Sequence, residues 1–349
     1  MNRLSTNNIV NQESGMFAGS NEIQLFFPAK KILKITGHST QIEYENDRDF
    51  LHTSGSNKII RTTKSRIPMF TQEELYPIKN LRLHPHPDAN AIDNAINGGY
   101  LLFNNRNMFA INQIDITYQK DTTSYNIKID RQLEKLPLTR NKLKTGKPVN
   151  VTIIGDSISE GFNATKFTNI YPFAPIYMEQ VCEELSTKFN TKVNLTNRAK
   201  ASTGIQYTQK IEDAYCNDAS DLLVIAYGMN NFSTMPIEEF ITRLSQILTN
   251  VKKSTPNTEF LIVTFMTGHK SWKPTVPGKD TIYANEMCKF ASKRGLDVAV
   301  ADVQSVWKTF LTKKSFYDLT GNGVNHPNDY GHRIYASTLL EILTGESYF

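Results

Sequence analysis

From Glu22 to about Asp130 the apolar residues come in short runs broken by turn residues. Ile23-Gln24-Leu25-Phe26-Phe27, Ile32-Leu33-Lys34-Ile35, Tyr100-Leu101-Leu102-Phe103 and the alternating Ile111 to Tyr118 read as strands, with Gly98-Gly99 and Asn104-Asn105 as punctuation. Such spacing predicts an antiparallel sandwich. After Pro148 the rhythm changes. Apolar β-rich runs at Val149 to Ile154, Val193 to Thr196, Leu222 to Tyr227, Phe260 to Phe265 and Val298 to Ala301 alternate with segments of helical period near 172–189, 206–214, 237–253, 282–293 and 330–343. Strand and helix in alternation predict a parallel sheet covered on both faces, with its working residues on loops at the carboxyl ends of the strands.

Three regions follow from these patterns. Residues 1–20, rich in Asn and Ser and without periodicity, read as a flexible tail or attachment segment. Residues 21–145 form a small all-β sandwich that ends in a linker, Glu134 to Pro148. Residues 146–349 form the α/β unit. No internal repeat of solenoid period is visible.

Composition narrows the choice of function. The chain has 349 residues, 39% hydrophobic and 21% charged, with a net charge of +5, as in an ordinary globular protein with a large core. The densest basic run, Arg140 to Lys147, lacks interleaved aromatics and reads as a solvated linker, not a nucleic-acid surface. Cys182, Cys216 and Cys288 form no Cys-x-x-Cys pair, so neither a zinc site nor a disulfide framework is expected. No run has the length of a transmembrane helix, and the polar start, Met1 to Asn8, lacks the apolar stretch of a signal peptide. That leaves a cytoplasmic protein, a virion-associated one, or a secreted form whose export signal has been removed.

Four blocks carry candidate chemistry. Gly155-Asp156-Ser157 ends the first apolar strand of the second region and presents a hydroxyl at the sheet edge; Ser157 there is either a nucleophile or a helix cap. Ala199 to Gly204 follows the second strand, and Tyr227-Gly228-Met229-Asn230-Asn231 ends the third. Gly204 and Asn230, with the Ser157 N–H, could serve as donors to a developing oxyanion, or simply as turn residues. Asn325-His326-Pro327 precedes the last helix. A neutral His326 could take the serine proton, with His332 as the second choice of base.

The ordered set Gly-Asp-Ser, Gly, Gly-x-Asn and His-Pro resembles the SGNH (GDSL-type) hydrolase superfamily over about Val149 to Leu343. The resemblance implies a three-layer α/β/α sandwich around a parallel sheet of about five strands, and ester hydrolysis with no metal or organic cofactor. It implies Ser157 as nucleophile, His326 as base, and Gly204 and Asn230 as oxyanion donors. The chain departs from the pattern twice. Asn231 stands where Asp is common, and Gly323 occupies the usual acid position, three residues before His326. Three arrangements remain for the missing acid: a dyad held by a backbone carbonyl, Asp318 reaching from upstream, or Asp302 from the end of the fifth strand.

The superfamily includes many carbohydrate acetyl esterases. The loop Met266 to Lys273 surrounds Trp272 with polar groups that include His269, suiting either a sugar platform or packing between domains. The expected activity is removal of acetyl groups from a glycan or surface polysaccharide. The rivals are an acyl-chain thioesterase or lysophospholipase, a virion tail protein that binds and deacetylates a surface glycan, and a degenerate hydrolase kept for binding. Homo-oligomerisation or attachment to a particle would accompany the tail reading.

Overall fold

The central strands of the α/β unit, such as Leu222–Ala226, are apolar along their whole length, because both faces of a parallel sheet are covered. The computed structural model describes residues 4–6, 8–78, 90–94, 96, 98–121, 127–275 and 278–349. In chain order its strands are β1 Ser5–Thr6, β2 Ile9–Gly15, β3 Phe17–Ala18, β4 Glu22–Gly37, β5 Phe50–Leu51, β6 Ser56–Arg61, β7 Met69–Phe70, β8 Asn90–Asp93, β9 Tyr100–Phe103, β10 Ile114–Lys120, β11 Val149–Gly155, β12 Val193–Asn197, β13 Leu222–Ala226, β14 Glu259–Val263 and β15 Val298–Ala301.

The last five strands form a parallel sheet in the order β12-β11-β13-β14-β15. Helices Tyr177–Phe189, Ile237–Ser254, Lys279–Ser292, Val303–Leu311 and Asp329–Thr344 connect and cover it. Helix Ile237–Ser254 shows why: Phe240, Leu244, Ile247, Leu248 and Val251 are buried on one stripe, with Ile241 at its edge, and the other intervening residues are polar. The order of strands reverses between β11 and β13. In doubly wound sheets this switch point is where the crevice for a ligand opens, and Ser157 follows β11 there.

The first part of the chain forms a six-stranded antiparallel sheet, β1-β2-β10-β4-β6-β5, with two small two-stranded sheets, β3-β7 and β8-β9. The antiparallel sheet has its own apolar cluster, which includes Ile23, Leu25, Ile35, Ile59, Ile114, Ile116 and Tyr118. Ile23 to Phe27 and Ile32 to Ile35 belong to one long strand, not two.

Two expectations are corrected. Residues 9–15 are not a tail: β2 pairs with β10 inside the sheet, from Ile114 opposite Gly15 to Gln119 opposite Ile9. The segment looked tail-like because it is polar, yet Glu13 is fully buried. Its carboxylate accepts from Phe26 N at 2.8 Å and Tyr118 OH at 2.7 Å, and pairs with Lys314 Nζ at 2.8 Å. Nor is Glu134 to Pro148 a plain linker. Residues Pro137–Lys144 form a helix whose Leu138 and Thr139 N–H groups donate to the Glu259 carboxylate, and whose Arg140 side chain donates to the carbonyls of Arg131 and Ile342.

Buried charge joins the two parts. Lys314, fully buried, also donates to Gln24 O at 2.7 Å, and Asp318 accepts from Met16 N at 2.8 Å. His38 bridges Asp115 and Asp329, each at 2.9 Å. Removing one partner of a buried ion pair leaves the other uncompensated, at a cost of about 3–5 kcal/mol. Lys314→Met should therefore lower the urea-unfolding free energy by about that amount. A loss under about 1 kcal/mol would show that the pair does not anchor the sheet.

Candidate active site

Three loops at the carboxyl edge of the parallel sheet, with the loop before the last helix, bring the site together. After β11, Asp156 caps a short helix, Ser157–Glu160, accepting from Ile158 N at 3.0 Å. This fixes Ser157 at the first helical position, where the backbone N–H has no intrahelical partner. After β12, Gly204 sits where a Cβ would meet the Asn231 amide at 2.5 Å, so a side chain there would have to displace that amide. After β13, Asn230 donates its Nδ2 to Thr203 O at 2.9 Å. Asn231, fully buried, accepts from Ile205 N at 2.9 Å and donates to Gln206 at 3.0 Å. An Asp at 231 could accept but could not donate; the amide bonds both ways and locks the second loop to the third.

The fourth loop carries His326. Asn322 Oδ1 accepts three backbone N–H groups, from Val324, Asn325 and His326, at 2.9, 2.9 and 3.0 Å. The loop is thus folded around one side chain. It places His326 Nε2 2.9 Å from Ser157 Oγ. His332 is not at the serine. It lies in the last helix, stacked on Tyr177, with Nδ1 3.4 Å from Tyr177 N.

The partner of His326 Nδ1 is Asn163 Oδ1, at 2.7 Å. Asn163 Nδ2 donates to Asn104 O at 3.3 Å, Arg106 O at 2.9 Å and Gly321 O at 3.1 Å. Carbonyl oxygens only accept, so they require the NH₂ of the amide, and the oxygen must face His326. His326 Nδ1 is therefore the donor, and in the neutral ring Nε2, which faces Ser157 Oγ, is an acceptor. Two residues on, the Thr165 N–H and hydroxyl donate to Asp329 at 2.8 and 2.6 Å, anchoring the segment.

Sequence reasoning missed Asn163. Its local context, Gly-Phe-Asn-Ala, carries no acid and no motif, and only the fold brings it to His326.

The two carboxylates weighed for this place are elsewhere. Asp318 closes a capping box with Ser315, binds Met16 N, and lies 3.6 Å from Lys314. It serves the junction between sheets, not His326. Asp302 caps helix Val303–Leu311 through Ser305 and accepts from Thr264. The usual acid position, Gly323, has φ +78°, and a Cβ there would meet Phe109 at 2.7 Å and the Leu102 carbonyl at 3.0 Å. The antiparallel part of the chain fills the space that an acid side chain would need.

Trp272 is half-buried, edge-on to Phe232 at 6.3 Å. His269 is buried and accepts from Ser271 N at 3.1 Å. Among the described residues there is no group of three or more His, Cys, Asp or Glu that could hold a metal ion, and no helix long and apolar enough to cross a membrane. The three cysteines are free.

Burial, with a smaller contribution from His332, pushes the pKa of His326 down to about 3. A neutral amide partner does nothing to raise it. The ring is thus neutral and able to accept a proton throughout the neutral range. Burial, for its part, raises Asp156 to about 7.

A sequence model of the GDSL-like lipase/acylhydrolase family matches residues 153–334, a little over half of the chain. The protein is an SGNH-type carboxylic ester hydrolase: the chain belongs to the GDSL-like lipase/acylhydrolase family. Among solved structures it is similar to an acetylxylan esterase from Geobacillus stearothermophilus, with a TM-score of 0.48 and 16% identity over 58% of this chain and 97% of that one. It is similar to an α/β hydrolase enzyme from the metagenome of Lake Arreo, with a TM-score of 0.46 and 16% identity over 56% and 94% of the two chains. A lipase from a goat rumen metagenome gives a TM-score of 0.43 and 13% identity over 55% and 95%. No curated protein matches the chain. The family assignment rests on the sequence match, not on these distant likenesses.

The state of the ring is directly measurable. In ¹⁵N-edited spectra, His326 should stay neutral with its proton on Nδ1 from pH 5 to 8. Titration of His326 between pH 6 and 7, or a proton on Nε2, would contradict the hydrogen-bond assignment.

Proposed function

We propose that this hydrolase removes acetyl groups from a carbohydrate, with Ser157 as nucleophile and His326 as general base. The observation that carries the proposal is the 2.9 Å contact between Ser157 Oγ and His326 Nε2, with the imidazole held at its other nitrogen by Asn163 at 2.7 Å. His326 takes the hydroxyl proton as Oγ attacks the ester carbonyl. The tetrahedral oxyanion is met by the Ser157 and Gly204 N–H groups and the Asn230 amide. His326 then returns the proton to the departing sugar oxygen, and water repeats the sequence on the acyl-enzyme. Asn163 keeps the ring in the tautomer that can accept at Nε2. Being uncharged, it stabilises the imidazolium less than a carboxylate would, so more of the catalysis falls to the oxyanion donors.

In this reading residues 146–349 are the catalytic domain and residues 21–145, with β2 paired into their sheet, an accessory one. Support for an acetyl ester on a sugar comes from the loops at the sheet edge, which carry the polar residues Thr203, Asn230, Thr267 and Lys270.

Hydrolysis of p-nitrophenyl esters tests the proposal. Acetate should be the best substrate. Ser157→Ala should abolish turnover, and His326→Ala should cost on the order of 10³-fold or more in kcat, because nucleophile and base act as a unit. Asn230→Ala should cost about 10²–10³-fold, and Asn163→Ala roughly 10²-fold through the lost tautomer control. Preference for octanoate would indicate an acyl-chain hydrolase, and turnover independent of Ser157 would remove the mechanism altogether.

A further inference from the structure

The loop after β14 borders a cavity of about 750 Å³ whose walls include Tyr76, His269, Thr275, Asp280, Phe316 and Tyr317. Tyr76 comes from the first part of the chain, and the others come from the α/β unit. β14 lies two strands from β11, which leads to Ser157, a separation of roughly 10 Å at the usual strand spacing. The cavity wall is tied to the base loop as well: His269 N donates to Val324 O at 2.8 Å, two residues before His326.

The polar groups in the wall have vacant bonding capacity. Nδ1 of His269 accepts from Ser271 N at 3.1 Å, so the neutral ring carries its proton on Nε2. Burial, then the charge of Lys270, pushes this ring to about 4 and keeps it neutral. Among the described residues the buried Thr275 hydroxyl has no hydrogen-bond partner. Asp280, also buried, accepts from the Thr267 hydroxyl. Around His269 stand the rings of Phe316, Tyr317 and Tyr76, with centroids at 5.1, 5.9 and 6.2 Å.

An acyl chain in this cavity would cover a carboxylate, an N–H and a hydroxyl without bonding any of them, at about 1–3 kcal/mol per group. A sugar ring supplies both donors and acceptors, and its C–H faces suit the aromatic wall. We propose that the cavity is a glycan subsite, holding a neutral sugar residue of the substrate away from the acetyl group at Ser157. Here Nε2–H of His269 and the Thr275 hydroxyl bind sugar oxygens, and Asp280 accepts from a sugar hydroxyl. The proposal rests on the carbohydrate-esterase reading for its substrate class.

Calorimetric titration of the full chain with ester-free hexaoses of xylose, glucose and N-acetylglucosamine, and with octanoate, tests it. At least one hexaose should bind, and Thr275→Val and Asp280→Asn, checked for unchanged melting, should each weaken binding at least about tenfold. Binding of octanoate alone, binding of none of the four, or unchanged hexaose affinity in folded variants would overturn the proposal. Because these ligands carry no ester, the outcome is separate from that of the esterase reading, which stands or falls on Ser157-dependent ester hydrolysis.

Discussion

One carboxamide holds the candidate site in register. Asn163 touches the backbone of two segments outside the parallel sheet, at Asn104, Arg106 and Gly321, and spends its single carbonyl on His326. Three acceptors on one side of the amide leave no freedom to flip it. From that follows the tautomer of His326, and from the tautomer the capacity of Nε2 to take a proton from Ser157. A carboxylate in the same place would face three carbonyl oxygens with nothing to donate, which is electrostatically unfavourable in a buried setting. The arrangement therefore selects an amide where the superfamily resemblance implied an acid.

The first part of the chain takes part in this arrangement. Asn104 and Arg106, which bind Asn163, and Leu102 and Phe109, which crowd Gly323, all belong to its side of the molecule. It is fastened to the α/β unit by buried polar contacts: Glu13 with Lys314, Asp318 with Met16 N, and His38 between Asp115 and Asp329. Such contacts are costly to desolvate and lose their value if either side shifts, so they fix relative position more than they add stability. Asp329, three residues after His326, and Thr165, two after Asn163, connect this anchoring directly to the site.

Much of this was legible in the sequence, for identifiable reasons. β13, β14 and β15 are nearly continuous apolar runs, β11 and β12 keep Val, Leu or Ile at alternate positions, and helices such as Ile237–Ser254 carry a full-length stripe, so periodicity located them. The blocks around Ser157, Gly204, Asn230 and His326 were visible because each follows a strand or precedes a helix in a fixed order. β2 was not legible, because its inward residues Glu13 and Ser14 are polar and depend on partners 300 or more residues away, Lys314 and Asn328. Helix Pro137–Lys144 was hidden by its basic run, whose Arg140 is turned inward onto carbonyls. Asn163 was hidden most completely: nothing local distinguishes it, and a search for carboxylates near His326 in sequence led to Asp318 and Asp302, which the fold uses to cap helices.

We propose that Asn163 prepares His326 to activate Ser157. Reaction with diisopropyl fluorophosphate, followed by peptide mass spectrometry, reads that activation without depending on the natural substrate. The account predicts a single adduct on Ser157, formed at least about tenfold more slowly in folded Asn163→Ala because the imidazole is no longer held in its accepting tautomer. An adduct on another residue, no adduct at all, or an unchanged rate in Asn163→Ala would contradict it.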